Sequence, residues 1–218
     1  MSAPLSVRFA LFAVLLLLMI GTRFTHAGSA GVLPDATWAV FFISGFYLSR
    51  DWRWSLTALF VAAVGADYVA IRYCGISNYC LTLSYWSVVP AYSLLWLGGA
   101  WLRGHYRRAP RDLARLALSL LVSVTLCFGI THSAFYWMSG RIAQPTLAEW
   151  AAVFVQWYPL FLGVTALYVA VGTVVHLTLT HRLESARLRR GGDGAPSRAR
   201  AVKHAFEAGI RAQRGIEL

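Results

Sequence analysis

The sequence predicts an all-α membrane protein with six transmembrane helices. Three observations carry that expectation. Of 218 residues, 58% are hydrophobic and only 13% are charged, about half the charged share of a soluble protein. Several apolar runs exceed the roughly 18 residues that mark a membrane span. Lys and Arg gather in alternate connecting segments, as they do when those segments face the cytoplasm.

The first span covers residues 7–24. Arg8 ahead of the apolar residues 9–20 has the outline of a signal peptide. No good cleavage site follows, Ala27-Gly28-Ser29-Ala30 coming nearest, so an uncleaved first helix is expected. The second span, 34–49, is short: sixteen residues rise about 24 Å, less than the roughly 30 Å hydrocarbon core. Neighbouring helices must shield it, or residues 51–54 extend it. The third span is 54–73, the fourth 83–102 and the fifth 113–138. The sixth starts at 147 and continues to 179, with a kink expected at Pro159.

Basic residues orient these spans. With the N-terminus inside, Arg8, Arg50, Arg53, five arginines at 103–115 and nine Lys or Arg from 182 onward all fall on the cytoplasmic side. Arg23, Arg72 and Arg141 fall outside. Seventeen against three is a strong orienting bias. The net charge of +11 is therefore a topology signal and not a nucleic-acid signal, and membrane lipids are the nearest partner for the basic end. The domain reading is a transmembrane domain, 1–180, and a basic cytoplasmic tail, 181–218. In the tail, Gly191-Gly192-Asp193-Gly194-Ala195-Pro196-Ser197 predicts a non-helical linker. Beyond it, Val202, Phe206 and Ile210 recur every four residues and predict a short helix with one apolar stripe.

Candidate chemistry collects at the outer face. The segment Tyr73-Cys74-Gly75-Ile76-Ser77-Asn78-Tyr79-Cys80-Leu81-Thr82-Leu83 is uncharged and holds two of the three cysteines. A disulfide, a redox pair and a metal-ligating thiol are the readings open to it. Cys-x5-Cys is not a redox spacing, and zinc needs more Cys or His than lie nearby. A structural disulfide or one free functional thiol is left. The surrounding aromatics Tyr68, Tyr73, Tyr79, Tyr85 and Trp86 also suit an interfacial belt. Cys127, in the middle of a span, reads as a packing residue.

Asp67 lies inside an apolar run. An acid there is costly and faces a cavity or a partner; Arg23 and Arg72 are the available partners, and Ile71 shares its helix face. His132, Ser133 and Tyr136, toward the outer end of the fifth span, are placed to line the same pocket. His176 and His181 sit at the opposite end, which argues against a haem bridging two helices.

Six helices, short external loops and an outward-facing cavity are features of the S-components of energy-coupling-factor vitamin transporters. Residues 5–180 resemble that group, and within it the BtuM-type cobalamin transporters. The match is carried by Gly65-Ala66-Asp67-Tyr68 and by Asn78-Tyr79-Cys80-Leu81-Thr82-Leu83-Ser84-Tyr85-Trp86. The resemblance implies an S-component-like bundle in the bacterial inner membrane that takes up cobalamin (vitamin B12). It makes Cys80 the axial ligand to cobalt and the residue responsible for cyanide loss from cyanocobalamin. It places Asp67 and Tyr85 near the corrin, with Asn78 and Tyr79 beside the cysteine. Ala-x3-Ala, the usual mark of docking to the shared energising module, is missing from the first helix: Ala3 is followed by Val7, Ala10 by Val14, Ala13 by Leu17. Small residues permit close helix contact, so this departure argues against that module as a partner. A solitary transporter then needs another driving force, such as trapping of cobalamin in the cytoplasm.

Two other functions compete. A membrane thiol oxidoreductase using Cys74 and Cys80 needs a second cysteine pair, which the chain lacks. A membrane-anchored scaffold acting through its basic tail leaves Asp67 unexplained.

Overall fold

The computed structural model describes residues 5–23, 34–73 and 82–214. Among them are six α-helices and no strand: α1 (Leu5–Arg23), α2 (Thr37–Leu48), α3 (Trp52–Tyr73), α4 (Val88–His105), α5 (Arg111–Met138) and α6 (Leu147–Arg214). Short 3-10 turns, Ser49–Asp51 and Leu83–Ser87, precede α3 and α4. Four helical stretches are long and apolar enough to cross a membrane: Leu5–Arg23, Thr37–Tyr73, Arg111–Met138 and Leu147–Ala186. The second of these joins the second and third expected spans. The fourth expected span, α4, is not among the four, because Pro, Gly, Trp and Tyr dilute it and Arg103 and His105 close it.

The chain divides into two compact units, residues 1–170 and 171–218, so the division falls inside the sixth apolar stretch. In the first unit α2 is the centre. It is 12 residues long, and ten of them are buried. About 18 Å of helix cannot cross a bilayer by itself. Short helices survive at membrane depth when protein covers them, and α2 is covered by α1, α3 and α4. Its Phe41 and Phe42 are among the most deeply buried side chains, with Phe41 against Phe60 of α3 and Tyr92 of α4 at ring distances of 5.1 and 4.9 Å. On α4, Ala91, Tyr92, Leu95, Trp96, Gly99 and Leu102 form the buried stripe, at the spacing of one helix face.

Two glycines set how closely α2 and α4 approach. A Cβ on Gly45 would overlap the Trp96 carbonyl, and one on Gly99 would overlap the Phe42 carbonyl. Backbone lies against backbone, so no side-chain rotation relieves the clash. Gly99→Ala is expected to destabilise the protein by about 2 kcal/mol through overpacking. Gly104→Ala, on the same helix with nothing within 4 Å, should be neutral or mildly stabilising. Thermal unfolding of the two variants in one detergent checks the contrast; equal melting points would refute the close contact.

α1 is fastened at both ends. Near its start Arg8 pairs with Asp51, and Phe9 and Phe12 pack on Trp54 at 5.3 and 4.9 Å. At its end the Thr22 hydroxyl accepts the Ala36 N–H at 3.0 Å. The early part of α6 meets the rest of its unit through large side chains. Phe154, Tyr158 and Phe161 pack against Phe128 of α5, and the Tyr168 hydroxyl donates to the Pro34 carbonyl at 2.7 Å.

In the second unit the backbone is helical through residues 191–197, where three glycines and Pro196 predicted a break. The correction has a physical basis. These residues cost about 1 kcal/mol per Gly and about 3 for Pro relative to Ala, but a nucleated helix gains a hydrogen bond with each residue added. Long helical flanks on both sides carry the weak segment. The backbone at Val202, Phe206 and Ile210 is helical as expected.

Candidate functional site

The ends of α1 and α3, the start of α2 and the 3-10 turn before α4 converge on one guanidinium. Arg23 donates from Nε to Asp67 Oδ1 at 2.5 Å and from Nη2 to Asp67 Oδ2 at 2.7 Å, a forked pairing with fixed orientation. Its Nη1 donates to the Thr37 hydroxyl at 2.9 Å and lies 3.9 Å from Asp35 Oδ2. The Tyr85 hydroxyl donates to Asp67 Oδ2 at 2.6 Å. Asp35 Oδ1 accepts both the Thr37 N–H at 2.8 Å and its hydroxyl at 2.5 Å, fixing the first turn of α2. Arg23 is 8% exposed, so these charges face each other with little water between them.

This network forms the polar end of a cavity of about 410 Å³, within the usual size range of small-molecule sites. Arg23, Asp35, Asp67, Ser84 and Tyr85 line it together with Ala70, Ile71, Ser87, Val88 and Thr131. The remaining walls are rings: Trp38, Tyr92, Phe128, His132, Phe135, Trp157 and Phe161. His132 lies parallel to Phe128, ring centres 5.3 Å apart, with its Nε2 3.2 Å from the Trp150 carbonyl. Such a cavity can hold a flat ligand between aromatic faces while hydrogen-bonding its rim.

Asp67, Tyr85 and His132 thus meet at one cavity, with Ile71 on the Asp67 face. Of the two arginines offered to Asp67, Arg23 takes it, while Arg72 is exposed. Tyr136 is not in the lining. It is buried, donates to the Thr146 carbonyl at 3.0 Å and Glu149 at 3.2 Å, and accepts the Thr146 N–H at 3.0 Å. It tethers the α5–α6 connection. Its one-turn spacing from His132 shares a helix face but not a depth. Ser133 is not in the lining either. Cys74, Asn78, Tyr79 and Cys80 lie outside the described residues. Among the expected belt aromatics, Tyr68, Tyr73 and Trp86 are exposed, whereas Tyr85 is drawn inward by its bond to Asp67. Cys127 is buried in α5 and unpaired. Among the described residues no three His, Cys, Asp or Glu side chains converge to hold a metal ion.

Sequence reasoning did not single out Asp35, Thr37, Trp38, Tyr92, Trp157 or Phe161. Asp35 and Thr37 carried a signal, since Pro34-Asp35-Ala36-Thr37 is a helix-start pattern. The aromatics carried none, because a Trp or Phe inside an apolar run reads the same whether it meets lipid, core or ligand. No protein-family model matches the sequence, and comparison with curated proteins finds no match either.

Proposed function

We propose that this protein takes up cobalamin across the bacterial inner membrane as a solitary S-component-like transporter. The observation that carries the reading is the aromatic-walled cavity, whose polar end is built by Asp67 and Tyr85. The turn that supplies Ser84 and Tyr85 begins at Leu83, three residues after Cys80 in the chain; Ser84 is four residues on, about 14 Å of chain at most. At about 410 Å³ the cavity takes part of so large a ligand, leaving the rest toward the outer face. The proposal includes six crossings with both termini cytoplasmic. α4 then crosses with its apolar stripe against α2 and needs less lipid-facing hydrophobicity than an outer helix.

The chemistry follows from the donor. Cobalt in a corrin has two axial positions, the lower held in free cobalamin by the ligand's own benzimidazole. A thiolate is the softer and stronger donor, so Cys80 displaces that base. Its electron donation through cobalt weakens the opposite bond. In cyanocobalamin no electron changes hands: the thiol gives up its proton, sulfur binds cobalt, and cyanide leaves with its bonding pair as hydrogen cyanide. This happens once per bound molecule and is not turnover. In this reading Asn78 and Tyr79, the two residues before Cys80 in the sequence, also serve in binding, Asp67 and Tyr85 contact the rim, and His132 presents a ring to it.

Colour tests the reading. Protein purified from cells grown with cobalamin is expected to carry a base-off corrinoid absorption spectrum in near-stoichiometric amount. A colourless preparation that also fails to take up added cobalamin would refute it, and oxidation of dithiols by that preparation would favour the thiol oxidoreductase instead.

A further inference from the structure

At the end of α1–α5 opposite Arg23, two turns lie side by side. One is the Ser49–Asp51 turn with the start of α3, and the other joins α4 to α5. Phe46, in the last turn of α2, brings them together by packing edge-on against Tyr106 at 5.6 Å. The acids of these turns are Asp51 and Asp112, and both are spent inside the fold. Asp51 pairs with Arg8 of α1. Asp112 is 7% exposed and accepts the Arg107 and Ala109 N–H groups at 2.9 and 3.0 Å and Arg115 Nη1 at 2.7 Å. The same Nη1 donates to the His105 carbonyl at 2.8 Å, so Arg115 closes the second turn.

Arg50, Arg53, Arg103, Arg107 and Arg111 are left over. All five are exposed, and none is paired with a described acid. Two of them are held in place without spending an N–H. The Arg103 guanidinium lies over the Phe46 ring at 5.5 Å and that of Arg53 over the Trp52 ring at 5.6 Å. Stacking on a ring face uses the flat side of a guanidinium and leaves its in-plane donors for an oxyanion. The exposed rings of Trp52 and Trp101 flank the patch, as indoles do at headgroup level. α1 and α5, which both begin at this end, are long and apolar enough to cross a membrane, so the patch lies where a leaflet surface would be.

We propose that this face binds the phosphates of anionic phospholipids in the adjoining leaflet. Basic residues bias insertion in any membrane protein. Here the finished fold also consumes the nearby acids, so the arginine charge stays available to a headgroup. Guanidinium forks suit phosphate oxygens, and the flanking indoles suit the glycerol and upper acyl region of the same lipid. The contact seats this end of the bundle at the membrane surface independently of the basic tail, and it does not depend on which ligand the cavity takes.

The test reconstitutes the full-length protein in phosphatidylcholine bilayers with traces of spin-labelled phosphatidylglycerol or phosphatidylcholine. The motionally restricted fraction of each label measures its association. At about 0.01 M salt the anionic lipid is expected to be preferred about fivefold. The preference should largely vanish at about 1 M salt, where the Debye length falls from about 30 Å to about 3 Å. Replacing Arg50, Arg53, Arg103, Arg107 and Arg111 together by Gln, with every basic residue from 182 onward retained, should reduce it to about twofold or less. If that variant does not fold, the pair variants Arg50→Gln with Arg53→Gln and Arg103→Gln with Arg107→Gln decide, each expected to lower the preference to about threefold. Equal association of both lipids with the unaltered protein would overturn the inference. So would an undiminished preference in the folded variants, which would assign it to the tail. Loss of the preference when inorganic phosphate replaces chloride at equal ionic strength would overturn it too, marking a site for free phosphate instead of lipid.

Discussion

Cys80→Ala and Cys80→Ser are expected to abolish the base-off corrinoid spectrum and all cyanide release, whereas Cys74→Ser leaves both nearly intact. Serine replaces a soft sulfur donor with a poor oxygen donor at almost no steric cost, and alanine removes the donor. Neither should disturb the helices, so the variants should purify and unfold like the parent protein. An ordinary thiol, with a pKa of about 8.5, is mostly protonated at neutral pH. Cobalt binding must displace that proton, so binding should release protons and strengthen as pH rises toward the thiol range. Cobalamin-dependent growth of a strain without other importers should fail with either Cys80 variant. A disulfide between the two cysteines predicts a different pattern, in which both substitutions behave alike and the oxidised protein shows no free thiol from that segment. A normal corrinoid spectrum in Cys80→Ala would remove the axial-ligand assignment altogether.

The second large effect belongs to Arg23. Its substitution by Met keeps most of the side-chain length but takes from Asp67 the guanidinium that pairs with both of its oxygens. Removing one partner of a buried pair typically costs 3–5 kcal/mol. Because Asp67 is 22% exposed, we expect about 3 kcal/mol here, read as a lowered unfolding midpoint in detergent. Arg23→Lys should fall between, since an ammonium keeps the charge but cannot make the forked pairing and reach Thr37 as well. Asp67→Asn weakens the same pair, so the double variant Arg23→Met with Asp67→Asn should lose less than the sum of the two. Affinity measured on the same preparations separates architecture from ligand contact. Normal cobalamin affinity in folded Asp67→Asn assigns the pair to holding α1, α2, α3 and the Leu83–Ser87 turn together. Weakened affinity at unchanged stability assigns Asp67 to the ligand. An Arg23→Met protein as stable as the parent would contradict the network itself.

Helix positions were legible because hydrophobicity is a local property that adds up along a window. The expected third span at 54–73 and the helix Trp52–Tyr73 differ only at the first turn. The fifth, 113–138, differs from Arg111–Met138 likewise only at its start. The exceptional status of Asp67 was legible for the same reason, since a carboxylate inside an apolar run needs a partner whatever the fold. The shortness of the second span likewise announced that neighbours must shield it or residues 51–54 must extend it.

What covers it was decided by packing. Gly45 and Gly99 look like ordinary glycines in apolar runs, and only the contact of α2 with α4 shows that backbone fills the space a side chain would need. The choice between Arg23 and Arg72 was equally closed to the sequence. Arg72 is five residues from Asp67 and Arg23 is 44 residues away, yet burial at the end of α1 makes the distant guanidinium the one that must be neutralised. The helical backbone across residues 191–197 went against local propensity because helix formation is cooperative over lengths greater than the weak segment. The sequence alone determined which segments are apolar helices and which charge was out of place. The tertiary structure alone decided which residues meet at the cavity, because pairing and enclosure depend on how the faces of separate helices come together, and composition does not encode that.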